Sequence, residues 1–222
     1  MGLTLLVIDS AGGACSAALW RDGAAVATRR LVTDRGHAQH LAPLVATVLE
    51  EGGRGDLDAV VATTGPGSFT GLRVGLALAH GVALASGVPA LGISSFAVHA
   101  AAAQAGAGQA LLVAIDSRRD ELFLQGFGDG LAGEPFAATP AAIAERLRGH
   151  SERPIAIAGD AARQLAAALS AAGVAAEIRA DGPADATVAA AVAARRLAAG
   201  GQLPPARPSY LRAPDVTIPV GA

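Results

Sequence analysis

The chain contains no lysine; all 17 of its basic residues are arginine. Schiff-base and lysine-nucleophile chemistry are therefore excluded. So is the phosphate loop that needs a lysine after its glycines. There is one cysteine, Cys15, so no disulfide can form within the chain, as expected of a protein in a reducing cytoplasm. One cysteine and five scattered histidines are poor material for a structural zinc site. Charged residues make up only 16% of the 222 and nearly cancel, at a net charge of −2, which argues against strong RNA binding by this chain alone.

What is abundant is apolar, at 52% of the residues. From Val74 to Ile115 there is no Asp, Glu, Lys or Arg. Such a run superficially suits a membrane span. It is rich in Ala and Gly, carries His80 and His99, and is cut by Gly87-Val88-Pro89, so the expectation is a buried core and no membrane. The apolar run 3–8 has no basic residues before it and stops at Asp9, so it reads as a strand rather than a leader.

Strands are expected at 3–8, 16–21 and 24–32, with a hairpin turn at Asp22-Gly23. An amphipathic helix follows at 37–51, with Leu41, Leu44, Val45 and Val48 on one face. Then come a buried strand at 57–63, a helix at 68–86, a strand at 88–93 and a helix capped by Ser94 that runs to about residue 105. In the second half, helices are expected at 140–148, 160–172 and 187–199, with strands at 154–158 and 174–179. Residues 201–222 are proline-rich and read as an extended tail.

Residues 60–75 are the most informative: an apolar strand enters the turn Gly65-Pro66-Gly67, and a helix starts near Ser68. Free N–H groups and the helix dipole make such a start suitable for an anion. The helix that follows has one charge, Arg73, and almost no polar face. Gly71, Gly75, Ala79, Ala83 and Gly87 recur every four residues as a stripe of minimal side chains. A helix this dry needs cover on both sides: its own sheet on one, another helix or another protein on the other.

The pattern then repeats. Ile8-Asp9-Ser10 returns as Ile115-Asp116-Ser117, Trp20 falls on Phe127, and Asp22-Gly23 returns as Asp129-Gly130, all at one spacing. This reads as an ancient duplication. A three-strand meander followed by alternating helix and strand is the ribonuclease-H-like pattern. The expected fold is α/β: an actin/Hsp70-like (ASKHA) duplicated ribonuclease-H-like fold with two subdomains, 1–106 and a smaller 107–200, before the 201–222 tail.

Ile8-Asp9-Ser10, Cys15-Ser16, Gly65-Pro66-Gly67-Ser68-Phe69-Thr70-Gly71-Leu72-Arg73, Gly92-Ile93-Ser94-Ser95, Asp116-Ser117-Arg118-Arg119-Asp120-Glu121 and Tyr210-Leu211-Arg212 together resemble the TsaB family. The resemblance spans nearly the whole chain, and the nine-residue run from Gly65 is its most specific part. It implies a cytoplasmic, non-catalytic subunit for the formation of threonylcarbamoyladenosine on tRNA, at the adenosine beside the anticodon. Such a subunit supports the catalytic relative TsaD, works with the ATPase TsaE, and reaches tRNA indirectly through the complex. It also implies a homodimer when the chain is alone. No cofactor is expected in the chain itself, with ATP or ADP at a junction with TsaD or TsaE left open.

In the actin-like superfamily each repeat's first hairpin cradles nucleotide phosphates through glycines, and an Asp directs a metal. The first hairpin here keeps Asp9, Ser10, Gly12 and Gly13; the second, Ser117 to Glu121, has no glycine. This is a degenerate phosphate site, with Asp9 capping the turn. The related catalytic subunit has an Asn-His-x-x-x-His run, where this chain has Ser94 and Ser95 before a lone His99; no metal is expected. His37 and His40 read as a solvated helix end. A serine hydrolase would want Gly-x-Ser-x-Gly, which Gly92-Ile93-Ser94-Ser95-Phe96 does not complete. An ATP-dependent small-molecule kinase or a metal-dependent transferase of the same fold is the alternative. The partner surface is expected on the 37–51 and 68–86 helices, at Leu41, Leu44, Val48, Gly71, Leu72, Gly75 and Ala79.

Overall fold

The computed structural model describes residues 2–53, 55–106, 108–128, 130–150 and 153–212. Asp129, half of the second expected turn, and residues 213–222 of the expected tail lie outside the described residues. The first half runs β1 (Thr4–Asp9), β2 (Ala14–Arg21), β3 (Ala24–Val32), α1 (His37–Glu51), β4 (Ala59–Thr63), α2 (Phe69–Ser86), β5 (Ala90–Ile93) and α3 (Ser95–Ala103). The second runs β6 (Leu111–Asp116), β7 (Leu122–Phe127), β8 (Phe136–Ala138), α4 (Pro140–Arg146), β9 (Ile155–Gly159), α5 (Ala162–Ala171), β10 (Ala176–Asp181) and α6 (Ala186–Ala198). The two halves match element for element. The sheet orders, β3-β2-β1-β4-β5 and β8-β7-β6-β9-β10, are the same topology.

Local chemistry explains most boundaries. Asp22 and Gly23 both take positive φ, as a two-residue hairpin turn requires. Ser68 caps α2 by accepting from the Gly71 amide at 3.2 Å, and Gly87 ends that helix in the left-handed conformation. Ser94 caps α3, Thr139 with Pro140 starts α4, and Asp185 caps α6. β1 is buried along its whole length because helices cover both faces of its sheet. The three-residue β8 has no counterpart among the strands expected from sequence; it is the remnant of a third meander strand that has nine residues in the first half.

The layers run α1/α2, first sheet, α3/α6, second sheet, α4/α5. The middle helices are exchanged between the halves. Phe96 and Ala103 of α3 pack on Leu111, Val113 and Ile115 of the second sheet. Ala186, Ala189, Ala190 and Ala193 of α6 pack on Leu5, Val7 and Val61 of the first. A division at residue 106/107 therefore separates the sheets but not the helices that cover them. After α6 the extended segment runs along the first sheet: Leu203 and Ala206 are buried, and it pairs with β5 through a bridge between Pro205 and Leu91.

This exchange predicts that residues 1–106 do not fold alone, because α6 supplies the cover for one face of their sheet. The full chain is expected to melt in one cooperative transition, and the 1–106 fragment in none. A fragment with a native circular dichroism spectrum and its own sharp melt would contradict the exchange.

Candidate functional site

The turn from β1 to β2 sits against the first turns of α2. The Ser10 hydroxyl donates to the Gly71 carbonyl at 2.8 Å, and the Ser68 amide donates to the Ala11 carbonyl at 2.6 Å. A Cβ at Gly67 would collide with the Ala11 carbonyl, one at Gly71 with the Ser10 carbonyl, and one at Gly75 with the Ser10 hydroxyl. Glycines are present here because backbone lies against backbone. Two more turn carbonyls are satisfied: His37 Nε2 bonds Gly12 at 3.1 Å, and the Thr33 amide bonds Gly13 at 3.0 Å. His37 is thus a buried strut of the turn, not part of a solvated helix end. The sequence offered no signal for that bond.

Asp9 is fully buried at the end of β1. One of its oxygens accepts from the Thr63 hydroxyl and, at 3.4 Å, from the Ala11 amide; the other has no partner. Burial raises its pKa above the ordinary carboxylate value, against those two hydrogen bonds. Capping of the turn is therefore observed, and the second oxygen is held in a dry setting where ionisation is disfavoured.

The opposite side of the cleft is acidic. Asp160, just before α5, accepts from the Asp116 amide at 2.8 Å. The space beside Gly12 is taken by the Asp160 carboxylate, 3.3 Å from where a Cβ would stand, and by Pro183. Asp34 lies beside Gly13, and Arg118 pairs with Asp34 at 3.2 Å and with Asp116 at 3.5 Å. In place of a phosphate, the two turns hold carboxylates and ion pairs. Asp160 and Asp34 were not singled out from sequence. The repeat spacing is lost after the first hairpin, because β8 and α4 are shorter than β3 and α1. His99 is buried on α3, and desolvation lowers its pKa to about 4, so it is neutral.

A cavity of about 470 Å³ opens on the other flank of α2. Its walls include Ser68 and Phe69 of the glycine turn and helix start, Arg118 and Arg119 of the β6–β7 turn, and Tyr210 and Arg212 of the C-terminal segment. Sequence placed these motifs far apart; the fold brings three of them to one opening.

The expected partner residues are corrected by the packing. Leu41, Val48, Gly71, Leu72, Gly75 and Ala79 are buried inside the chain, and only Leu44 keeps part of its surface. The Gly71/Gly75/Ala79 stripe faces Ser10 and the first sheet. The outward face of α2 is a second small-residue stripe, Ala77, Gly81 and Ala85, beside Leu84, which is 85% exposed. A Cβ at Gly81 would meet nothing within 4 Å. Among the described residues α2 is the one helix long and apolar enough to cross a membrane, and its inner stripe is packed on the sheet.

The family model for TsaD, the tRNA N6-adenosine threonylcarbamoyltransferase, matches residues 31–218. The tRNA threonylcarbamoyladenosine biosynthesis protein TsaB of Escherichia coli (strain K12) is 39% identical over 124 residues, 54% of this chain and 53% of that protein. The chain thus spans about half the length of the curated relatives it matches. YeaZ from Pseudomonas aeruginosa superposes with a TM-score of 0.77 at 28% identity, covering 94% of this chain and 100% of that one. The ethanolamine utilization protein EutJ from Carboxydothermus hydrogenoformans shares the fold alone, with a TM-score of 0.52 at 13% identity over 84% of this chain and 88% of its own.

One titration checks the closed cleft. Burial, with some repulsion from Asp116, raises the Asp160 pKa to about 6, outweighing the Asp116 amide and Arg118. The folded state holds this proton more tightly than the unfolded chain, so Asp160 carries no penalty in acid. The penalty grows as pH rises from about 4 to about 6 and is constant above that. Asp160→Asn keeps the acceptor for the Asp116 amide. Its stability gain over wild type is expected to be near zero at about pH 3.5 and to grow to a ceiling of about 3 kcal/mol by about pH 7. Denaturant melts across that range measure it, and a gain that shrinks with rising pH would contradict the assignment.

Proposed function

The chain belongs to the TsaB family, within the wider group described by the TsaD model, and from that premise we propose that it is a non-catalytic, cytoplasmic assembly subunit. In this reading it binds TsaD and supports transfer of threonylcarbamoyl to the tRNA adenosine beside the anticodon. TsaE is a further partner, tRNA is reached through the complex, and the free chain homodimerises through the surface that TsaD covers.

The observation that carries this reading is the outward face of α2: apolar, flat along Ala77, Gly81 and Ala85, and flanked by the half-buried Val74, Leu78 and Val82. A face of this shape admits a partner helix closely, and α1, packed beside α2, extends it through Leu44. Interfaces that hold such partners bury on the order of 1,600 Å². The filled cleft supports the non-catalytic part. Phosphates would meet the Asp160 and Asp34 carboxylates beside Gly12 and Gly13. If a nucleotide is held at a junction with TsaD, the 470 Å³ cavity with Arg118, Arg119 and Arg212 at its walls is the place for it.

Gly81→Leu is the test of the α2 face. A Cβ at Gly81 would meet open space, so the variant is expected to keep its circular dichroism spectrum and not to lose melting temperature. It is expected to bind TsaD at least about tenfold more weakly and to lower the yield of modified tRNA in a mixture with TsaD and TsaE. Gly75→Leu is expected to fail at folding instead, since its side chain would enter the Ser10 contact. A folded Gly81→Leu protein that binds TsaD with wild-type affinity would remove α2 from the interface.

A further inference from the structure

The segment from Leu203 to Arg212 crosses the molecule as a strap. At one end it extends the first sheet: the Gly92 amide donates to the Pro204 carbonyl at 2.7 Å, and the Ala206 amide to the Ala90 carbonyl at 3.1 Å. In the middle, the Ser209 amide donates to the Thr64 carbonyl at 2.7 Å, beside the glycine turn. At the other end Arg212 pairs with Glu121 on the β6–β7 turn of the second half and lies over the Phe123 ring. Ser209 to Arg212 form one wall of the 470 Å³ cavity.

Two side chains of α2 hold the strap from the exposed side. His80 donates from Nε2 to the Ala206 carbonyl at 2.8 Å, and Arg73 donates from Nε to the Tyr210 hydroxyl at 3.3 Å. Arg73 also lies 3.7 Å above the Phe69 ring, which stacks on Tyr210 at 5.7 Å between centroids. Phe69 and Tyr210, 47% and 44% exposed, are the exposed aromatic side chains among the described residues, and they touch each other. Phe69, Arg73, Ala77, His80 and Leu84 fall on one side of a helix with 3.6 residues per turn. The strap's holders therefore share the outward face of α2 with the proposed contact stripe.

We propose that the strap is a latch whose closure is linked to occupation of the α2 face, so that a partner bound there fixes the cavity wall and the arginine turn of the second half. This rests on the α2 reading above. The physical link is solvent. In the free chain the Arg73–Tyr210 bond is exposed and the His80–Ala206 bond is only part-buried, so water competes for both and they hold the strap weakly. A partner on α2 excludes that water, and both bonds strengthen in the lower dielectric. The segment from Ser209 onward then stays seated, and Arg212 keeps Glu121 and the Arg118-Arg119 turn in place. By linkage, a chain that cannot seat its strap binds the partner more weakly by the same factor.

Hydrogen exchange with residue resolution, on the full chain alone and saturated with TsaD, tests this. At the Ala206 and Ser209 amides, exchange is expected to slow by about tenfold or more in the complex. In Tyr210→Ala, which removes the stack on Phe69 and the Arg73 bond, the slowing at Ser209 is expected to be lost and TsaD affinity to fall by a similar factor. If Gly81→Leu abolishes TsaD binding but TsaD leaves strap exchange in the wild type unchanged, the latch is wrong and the α2 reading stands. If Gly81→Leu binds TsaD normally, both fall.

Discussion

The contact of the β1–β2 turn with the glycine face of α2 sets the rest of this structure. Ser10 and Ala11 touch Gly67, Gly71 and Gly75 so closely that no side chain fits between them. Two hydrogen bonds, from the Ser10 hydroxyl to Gly71 and from the Ser68 amide to Ala11, fix the approach. The rotation of α2 about its own axis follows from this. With Gly71, Gly75 and Ala79 turned inward, Ala77, Gly81 and Ala85 must face out. The same contact seats the turn on α2 through the Ser10 hydroxyl and the Ala11 carbonyl.

The filled cleft between the turns and the uncovered apolar face of α2 are thus two sides of one packing arrangement. In the cleft, carboxylates face the glycines that would have cradled a phosphate, and burial disfavours ionisation of Asp9 and Asp160. On the face, apolar surface remains after the sheet has been covered. Burial of that surface against a partner is the largest favourable term still available to the helix. The exchanged helices α3 and α6 tie the halves together and leave α2 as the exposed dry element.

Much of this was legible in the residues. The bounds of α1, the Ser68 and Ser94 caps, the Asp22-Gly23 turn and the first hairpin of the repeat follow from local chemistry and periodicity. The orientation of α2 was not legible, because both of its small-residue stripes have the same period of four, and period alone does not say which one meets the sheet. The exchange of α3 and α6 is a tertiary choice between two apolar faces that look alike in sequence. Asp160 entered the cleft unannounced because the shortened β8 and α4 break the repeat spacing. His37 became a turn strut through one bond to a carbonyl, which leaves no trace in composition. The pairing of the proline-rich end with β5 left no strand signal in the sequence because it uses prolines and one isolated bridge rather than an alternating strand.

The proposed covering of the outward face of α2 by TsaD can be read with a thiol reporter on that face. Cys15, the single cysteine, is fully buried and burial pushes its thiol up to about 11, so it is inert and leaves room for a reporter. In Ala77→Cys, the rate of modification by a thiol reagent, measured at concentrations where the chain is monomeric, reports directly on that face. Fast modification alone and at least about tenfold slower modification with saturating TsaD is the predicted result. Equal rates with and without bound TsaD would contradict the account.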